Sequence, residues 1–136
     1  MSIEKNIQTV KDFFAAIGDG DRNSLAALVT EDIEWIIPGE DWPLAGTYRG
    51  LAGVADVQGK ASAEVETTYP KLPEFMAQGD RVIVVGVATG KIKATSNQFN
   101  DEWVFDMTVR DGRVARIQEY IDTQALARAS RTDNQA

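Results

Sequence analysis

Two dipeptides, Gly79-Asp80 and Asp111-Gly112, constrain the fold most, because each separates two strand-like segments by only two residues. Glycine and aspartate accept the backbone angles of two-residue hairpin turns more readily than most residues do. Residues 81–88 are rich in valine and isoleucine, and residues 102–110 and 113–122 also have strand-like sequences. The second half of the chain therefore predicts an antiparallel meander.

The first half of the chain has helical periodicity instead. Apolar residues recur every three or four positions in the first segment, on one face of a helix: Ile3, Ile7, Val10, Phe14 and Ile17. Gly18-Asp19-Gly20 ends this helix, and a shorter helix follows Asp21. A strand is predicted over 33–37, a loop rich in proline and glycine over 38–50, and a third helix from about Leu51 to Ala61. Three helices thus precede the meander.

Helices that precede an antiparallel meander favour an α+β architecture, in which the helices pack on one face of the sheet. We predict a cone-shaped barrel with three N-terminal helices packed on a curved, mostly antiparallel sheet. Where a helix does not fill such a sheet a concavity remains, and concavities are the usual sites of small-molecule binding. A single domain is expected over residues 1–131, with a disordered tail at 132–136.

The composition narrows the chemistry, because the 136 residues include no cysteine and no histidine. These absences exclude disulfides, thiolate–zinc sites, cysteine nucleophiles and Ser-His-Asp triads. Proton transfer near neutral pH would need a carboxylate, lysine or tyrosine with a shifted pKa. No spacing of carboxylates matches a metal site, so neither a metal nor a cofactor is predicted.

The charge of the chain bears on its partners. The formal net charge is −7, and a stretch without any base carries these acids: Glu31, Asp32, Glu34, Glu40 and Asp41. Such a surface repels phosphate backbones, so nucleic acid is not an expected partner. No apolar run approaches the roughly 20 residues of a membrane span, and no signal-peptide pattern opens the chain. A cytoplasmic location without a membrane partner is expected.

Six short segments carry a more specific signal through their order and spacing. They are Phe13–Asp21, Trp35–Gly39, Ala45–Gly50, Gly79–Val82, Val109–Val114 and Glu119–Thr123. Together they resemble the SnoaL-like proteins of the nuclear transport factor 2-like superfamily, whose relatives include ketosteroid isomerase and limonene epoxide hydrolase. The resemblance implies the cone-shaped barrel, a mostly apolar pocket for a small-molecule ligand, and a homodimer packed through the sheet. It does not imply one activity, because this scaffold carries many.

Asp122 is the first candidate for acid–base chemistry. It lies near the end of the last predicted strand, on the face that also carries Arg116, Gln118 and Tyr120. If that face meets the cavity, burial among aromatic residues would raise the pKa of Asp122. In SnoaL-type cyclases and in epoxide hydrolases that this chain resembles, an aspartate at the matching place does acid–base work. The alternative is that Asp122 caps a helix beginning near Thr123.

Two catalytic patterns of the resembled families are incomplete in this chain. The epoxide hydrolase pattern pairs an arginine with an aspartate two residues later on a strand, and here Arg81 is followed at that position by Ile83. The ketosteroid isomerase pattern places a tyrosine on the first helix, where this chain offers Phe13 and Phe14. Neither epoxide hydrolysis nor steroid isomerisation on those patterns is therefore favoured.

Aromatic and polar residues are predicted to line the pocket and bind the substrate: Trp35, Trp42, Trp103, Phe105, Gln118 and Tyr120. Trp42 lies in the loop over 38–50 and could act as a lid. Tyr48 or Tyr120 would donate a hydrogen bond to a developing oxyanion, which makes Tyr48 the second predicted catalytic residue after Asp122. The alternative for these aromatic residues is plain core packing.

The sequence thus yields a hypothesis with two rivals. The hypothesis is a SnoaL-like homodimer with a pocket for a small apolar or polyketide-like molecule. As an enzyme it would be a cofactor-independent isomerase, cyclase or dehydratase that moves a proton on a carbon acid. The rivals are a non-catalytic module that binds a ligand and a dimerisation domain whose cavity is filled by side chains.

Overall fold

The computed structural model describes residues 2–40 and 42–131. The helices in this part of the chain are α1 (Ile3–Asp19), α2 (Arg22–Leu28), α3 (Gly50–Glu64) and α4 (Thr123–Ala129). The strands are β1 (Val29–Ile37), β2 (Gly46–Arg49), β3 (Val65–Thr68), β4 (Glu74–Gln78), β5 (Arg81–Ile92), β6 (Gln98–Arg110) and β7 (Arg113–Tyr120). The tail predicted at 132–136 lies outside the described residues.

The strands form one seven-stranded sheet in the order β2-β1-β7-β6-β5-β3, with β4 also paired to β5. All pairs are antiparallel except β1 with β7. β5 pairs with β4 through residues 81–85 and with β3 through residues 89–92, so one long strand serves two neighbours and the sheet curls along it. The predicted α+β class with a curved, mostly antiparallel sheet is confirmed.

Helix α1 packs on the concave face of this sheet. Within its predicted apolar stripe Val10 is completely buried and Ile7, Phe14 and Ile17 are half-buried, whereas Ile3 at the helix start is exposed. Phe13, next to the stripe, is also completely buried. The backbone N–H of Lys5 donates to the Ser2 hydroxyl at 3.1 Å, which caps the helix start. Gly20 ends the helix in the left-handed conformation with φ of 65°. The concave face under α1 is therefore the core, and residues on it determine what the interior can do.

The hairpin between β6 and β7 forms as its sequence predicts. Asp111 and Gly112 have φ angles of 53° and 76°, which is the pair of positive values that a tight two-residue turn of this kind requires. Gly79, in the turn between β4 and β5, also has a positive φ of 60°. These two turns set the register of two strand pairs, β4 with β5 and β6 with β7.

The predicted loop over 38–50 is partly wrong, because its last residues form β2. The four residues Gly46–Arg49 pair with β1, and Trp35 lies opposite Tyr48. A strand this short has too few alternating residues to be recognised from its pattern. In the described part of the chain, no helix is long and apolar enough to span a membrane.

Candidate functional site

Two carboxylic acids lie on the concave face of the sheet. Asp101 on β6 and Glu119 on β7 are each only 8% exposed. A buried acid is rare because water no longer stabilises its charged form, and such a group lowers stability unless it is well paired. The two acids are therefore the first place to look for chemistry.

Glu119 has one strong partner inside the protein. The indole Nε1 of Trp35, on β1, donates to Oε1 of Glu119 at 2.6 Å. Burial raises the pKa of Glu119 to about 7, opposed in part by the Trp35 hydrogen bond and assisted by the charge of Asp101. Near neutral pH this acid is populated in both protonation states, which is what a general acid or base requires.

Asp101 connects the site to the start of α4. Its Oδ1 accepts a hydrogen bond from the backbone N–H of Asp122 at 2.8 Å. Burial raises the pKa of Asp101, the Asp122 backbone hydrogen bond opposes that shift, and the charge of Asp122 adds to it. Asp101 thus anchors the backbone at the start of α4, and its charge also raises the pKa of Glu119.

A continuous set of aromatic rings lies beside Glu119, which is hydrogen-bonded to one member and paired with another. We call it the aromatic cluster: Phe13, Phe14, Trp35, Tyr69, Trp103 and Phe105, with neighbouring ring centroids 5.1 to 6.3 Å apart. Phe105 is central, since its ring contacts three others and its residue pairs with Glu119 across β6 and β7. Such rings favour flat, apolar partners and lower the local polarity around Glu119.

Trp103 packs unusually close to the sheet. A Cβ on Gly86, its partner on β5, would lie 2.3 Å from Cζ2 of the Trp103 ring. The absence of a side chain at Gly86 is therefore what lets the indole lie over β5. The Nε1 atom of Trp103 is buried and has no hydrogen-bond partner among the described residues.

Tyr69 lies at the edge of the aromatic cluster, in the segment that joins β3 to β4. Its ring meets Trp103 edge-on with a centroid distance of 6.3 Å. The residue as a whole is 63% exposed, yet burial, followed by the charges of Glu119 and Asp101, raises the pKa of its hydroxyl. Tyr69 therefore lies within the electrostatic influence of the two acids, at the exposed edge of the aromatic cluster.

The facing predicted for the last strand is wrong. Gln118 and Tyr120 lie on the convex face of β7, and Tyr120 is 55% exposed. The concave face instead carries Ile117, which is completely buried, and Glu119. The alternation of the strand is as predicted, but the apolar side chain of Ile117 requires its own face to be the inner one.

Asp122 lies beyond the end of β7 and caps α4. Its Oδ1 accepts a hydrogen bond from the backbone N–H of Ala125 at 3.0 Å, and the side chain is exposed. Asp122 is thus a helix cap, as the alternative interpretation of the sequence predicted. No contact places the Asp122 carboxylate among the aromatic rings. Glu119 is the acid that the sequence reasoning missed, although Ile117 and Ile121 on the same face were a usable signal.

The other predicted site residues lie inside the protein. Trp35 and Trp103 are buried and Phe105 is half-buried, all three in the aromatic cluster. Trp42 is buried too, which does not fit an open lid. Tyr48 donates its hydroxyl to the backbone oxygen of Leu44 at 2.7 Å, so this donor is already engaged. The catalytic roles predicted for Tyr48 and Asp122 stay predictions that the geometry does not support.

Replacing Asp122 by alanine is expected to lower the free energy of unfolding by about 1 kcal/mol, because the first turn of α4 loses its side-chain acceptor. Asp122→Asn retains an acceptor oxygen and should cost less. Urea unfolding of both variants measures the difference. Equal stability of Asp122→Ala and the parent protein would contradict the capping role.

The rest of the described chain offers no stronger candidate. Within residues 2–40 and 42–131, no three acids come together in a way that could hold a metal ion. Two surface hollows of about 200 and 280 Å³ lie away from the acids, one between α2 and α3 and one over β3, β5 and β6. The buried acids with their aromatic cluster are thus the best candidate site.

Comparisons with known proteins agree with this architecture. The family model of the SnoaL-like domain matches residues 10–117. The uncharacterised protein Rv0034 of Mycobacterium tuberculosis H37Rv is 25% identical over 120 residues, covering 88% of this chain and 91% of that protein.

Two solved structures extend the comparison. An NTF2-like protein from Burkholderia xenovorans LB400 is 60% identical with a TM-score of 0.93, covering 96% of this chain and 99% of that one. TerC, co-crystallised with polyporic acid, is 26% identical with a TM-score of 0.78, covering 92% of this chain and 97% of that one.

Proposed function

The chain belongs to the SnoaL-like domain family, and from this premise we propose that it binds a small, largely apolar molecule within the aromatic cluster and moves a proton on it. Glu119 is the acid–base group in this proposal. The reaction class is isomerisation, cyclisation or dehydration of a carbon acid, with no cofactor. The role first assigned to Asp122 passes to Glu119, because Glu119 is the acid that lies among the aromatic rings.

One observation carries the proposal, namely a glutamic acid with a pKa near neutrality held in an apolar interior. An uncharged residue of the same shape could accept the Trp35 hydrogen bond without the penalty of burying a charge. Retaining a titratable group there makes physical sense if its proton is used. Perturbed acids in apolar pockets are typical of acid–base sites.

The chemistry follows from the two oxygens of Glu119. Oε1 is held by Trp35, and Oε2 accepts no hydrogen bond from the described residues. Ionised Glu119 takes a proton from the carbon beside a carbonyl group. The C–H electron pair forms a carbon–carbon double bond, and the carbonyl π pair moves to oxygen as an enolate. Protonated Glu119 then returns a proton to the same or to a conjugated carbon.

The comparison with TerC supports the ligand class. That protein was crystallised with polyporic acid, so a protein similar to this one over most of its length accommodates a small organic molecule. We carry over only the class of partner, a small organic molecule. The aromatic cluster fits such a partner.

The test uses 2-tetralone, a flat ketone with acidic hydrogens beside its carbonyl group. The protein is incubated with it in D₂O, and proton NMR follows the loss of the α-hydrogen signal. We expect saturable exchange above the buffer rate. Saturable binding without exchange would overturn catalysis and favour the non-catalytic alternative, and a lack of both would contradict the pocket itself.

We propose further that the chain forms a homodimer through the convex face of the sheet. An apolar patch crosses that face on four adjacent strands: Met76, Ile83, Val85, Val104 and Tyr120. Met76, Val85 and Tyr120 are exposed in the single chain. A contiguous apolar patch on a sheet is a typical protein interface, and two copies of this chain would cover each other's patch.

Replacing Val85 by lysine is expected to convert the dimer to a monomer, because a charge would be buried at the centre of the patch. Sedimentation equilibrium measures the mass of the variant and of the parent protein. Gln98→Lys is the matched control, since Gln98 is exposed on the same face at the far end of β6. A monomeric parent protein, or a Val85→Lys dimer, would contradict the proposed interface.

A further inference from the structure

Trp103 carries a hydrogen-bond donor that the protein does not use. The residue is only 9% exposed, and its Nε1 atom is buried with no partner in the described part of the chain. A buried indole N–H normally has an acceptor, because an unmade hydrogen bond leaves its desolvation uncompensated. Trp35, in the same cluster, follows the rule by donating to Glu119. The contrast singles out Trp103.

The unused donor belongs to the same aromatic cluster as Trp35, which binds the proposed acid–base group. The Trp103 ring is 5.1 Å from the Phe105 ring, and Phe105 pairs with Glu119 across the two strands. The Phe105 ring also contacts the ring of Trp35, at 6.2 Å, and Trp35 holds the carboxyl of Glu119. Phe105 thus contacts both the indole whose N–H is unused and the indole that binds the acid.

We propose that the ligand is a neutral, flat ketone whose carbonyl oxygen accepts a hydrogen bond from Trp103 Nε1. This inference rests on the proposed function and specifies its substrate class. In the proton transfer described above, negative charge develops on that oxygen, so the Trp103 hydrogen bond strengthens as the enolate forms. Trp103 would then discriminate between carbonyl compounds and hydrocarbons of the same shape.

Charge and polarity exclude other ligand classes. A carboxylate or phosphate ligand would be repelled by the ionised form of Glu119. An ammonium ligand would be attracted by that carboxylate, but it has no acceptor for Trp103 and would leave that N–H unpaired. A neutral carbonyl compound satisfies Trp103 and avoids the repulsion.

Tyr69 is the side chain that a ligand would displace on entry. It packs edge-on against Trp103, and it is the most exposed member of the aromatic cluster. Fewer contacts hold Tyr69 in place than hold Phe13 or Trp35, so movement of Tyr69 costs the least. Movement of the segment over 69–73 would open the cluster next to Trp103.

The test compares 2-tetralone with tetralin, its hydrocarbon counterpart without the carbonyl group, in the parent protein and in Trp103→Phe. Phenylalanine retains an aromatic ring and removes the N–H. We expect the Kd of 2-tetralone to rise about tenfold in the variant, while the Kd of tetralin changes less than twofold. Equal affinity of the variant and the parent protein for 2-tetralone would overturn the inference.

A second measurement does not depend on the variant. The assigned indole N–H resonance of Trp103 in the parent protein should move downfield when 2-tetralone binds, because a hydrogen bond deshields the proton, and should not do so with tetralin. An unchanged resonance at saturation with 2-tetralone would also overturn the inference. This measurement decides the matter if Trp103→Phe loses affinity for both compounds through a general change in packing.

Failure of this inference and failure of the proposed function give different results. If 2-tetralone binds through Trp103 but Glu119→Gln exchanges its α-hydrogens as fast as the parent protein, the acid–base role is wrong and the ligand class stands. If Glu119→Gln abolishes exchange and Trp103→Phe changes nothing, the ligand class is wrong and the acid–base role stands. If neither compound binds at its solubility limit, both are wrong.

Discussion

Replacing Glu119 by glutamine is expected to lower the rate of α-hydrogen exchange on 2-tetralone by a factor of about 10² to 10⁴, the usual contribution of a general base. The substitution is nearly isosteric, and the amide oxygen can still accept the Trp35 hydrogen bond that holds Oε1 at 2.6 Å. What is lost is the ability to take and return a proton. The measurement is the proton NMR assay in D₂O, at a 2-tetralone concentration above its Kd.

The pH dependence of the parent protein should match this role. The pKa of Glu119 is raised to about 7, and only the ionised form can remove a proton. The exchange rate should therefore increase with pH up to about 7 and level off above it, after subtraction of the buffer-catalysed rate. The glutamine variant should show no such inflection.

A matched control separates the role of Glu119 from a general effect of removing an acid. Glu102 is exposed on the convex face of β6. The Glu102→Gln variant should catalyse α-hydrogen exchange on 2-tetralone at the same rate as the parent protein. Asp122→Asn should do the same, because Asp122 caps α4. Full exchange activity in Glu119→Gln would contradict the acid–base role of Glu119, and loss of exchange in Asp122→Asn would return that role to the residue first predicted.

The Glu119→Gln substitution should also stabilise the protein at alkaline pH. At pH 8 we expect Glu119→Gln to be more stable than the parent protein by about 3 kcal/mol, an order-of-magnitude figure for a shift of this size. The reason is that the folded parent protein must then hold an ionised carboxylate in its interior, whereas the unfolded chain exposes it to water. The amide carries no charge and avoids this penalty.

The sign of the effect follows from the direction of the shift. Because the pKa of Glu119 is higher in the folded protein than its ordinary value of 4.5, the folded state holds this proton more tightly than the unfolded state. The stability that the folded protein gains from holding the Glu119 proton is complete below pH 4.5 and is lost as the pH rises to about 7. The stability difference between variant and parent protein should accordingly shrink to about 1 kcal/mol or less at pH 5.

Urea unfolding of the two proteins at pH 5 and pH 8 measures this difference directly. Subtracting one protein from the other removes the contributions of the remaining acids, such as Asp21 and Asp32, whose pKa values are lowered by hydrogen bonds. Glu102→Gln again serves as the control and should show no pH-dependent gain. A Glu119→Gln protein that is less stable at pH 8 than the parent would show that the charge is well compensated. A gain in stability together with a loss of activity is the pattern of a functional residue.

Much of the fold could be predicted from the sequence because its signals are local. The steps of three and four along α1, the two hairpin turns and the run of valines in β5 each depend on residues that are neighbours in the chain. The six segments that resemble SnoaL-like proteins added the order of these elements. The short β2 was missed, since four residues carry little alternation.

The site was predicted less well, because a strand pattern does not say which of its two faces is inside. The alternation of β7 is compatible with either face pointing inward. If the choice is wrong by one residue, Gln118 and Tyr120 are placed in the interior instead of Glu119. Choosing the face that carries Asp122 led to an acid that caps a helix. Trp35, Trp103 and Phe105 were identified correctly as interior residues, because their strands carry more apolar residues on one face than on the other.

By itself the sequence determined the order of the elements, the tight turns and the absence of histidine and cysteine, all of which follow from residue identity and short-range backbone preferences. The tertiary structure decided which acid is buried. Trp35 and Glu119 are 84 residues apart in the chain, and they meet only because β1 pairs in parallel with β7 and α1 covers the face between them. Burial and a hydrogen bond between such distant residues depend on how the sheet packs, and burial raises the pKa of the Glu119 carboxyl to about 7.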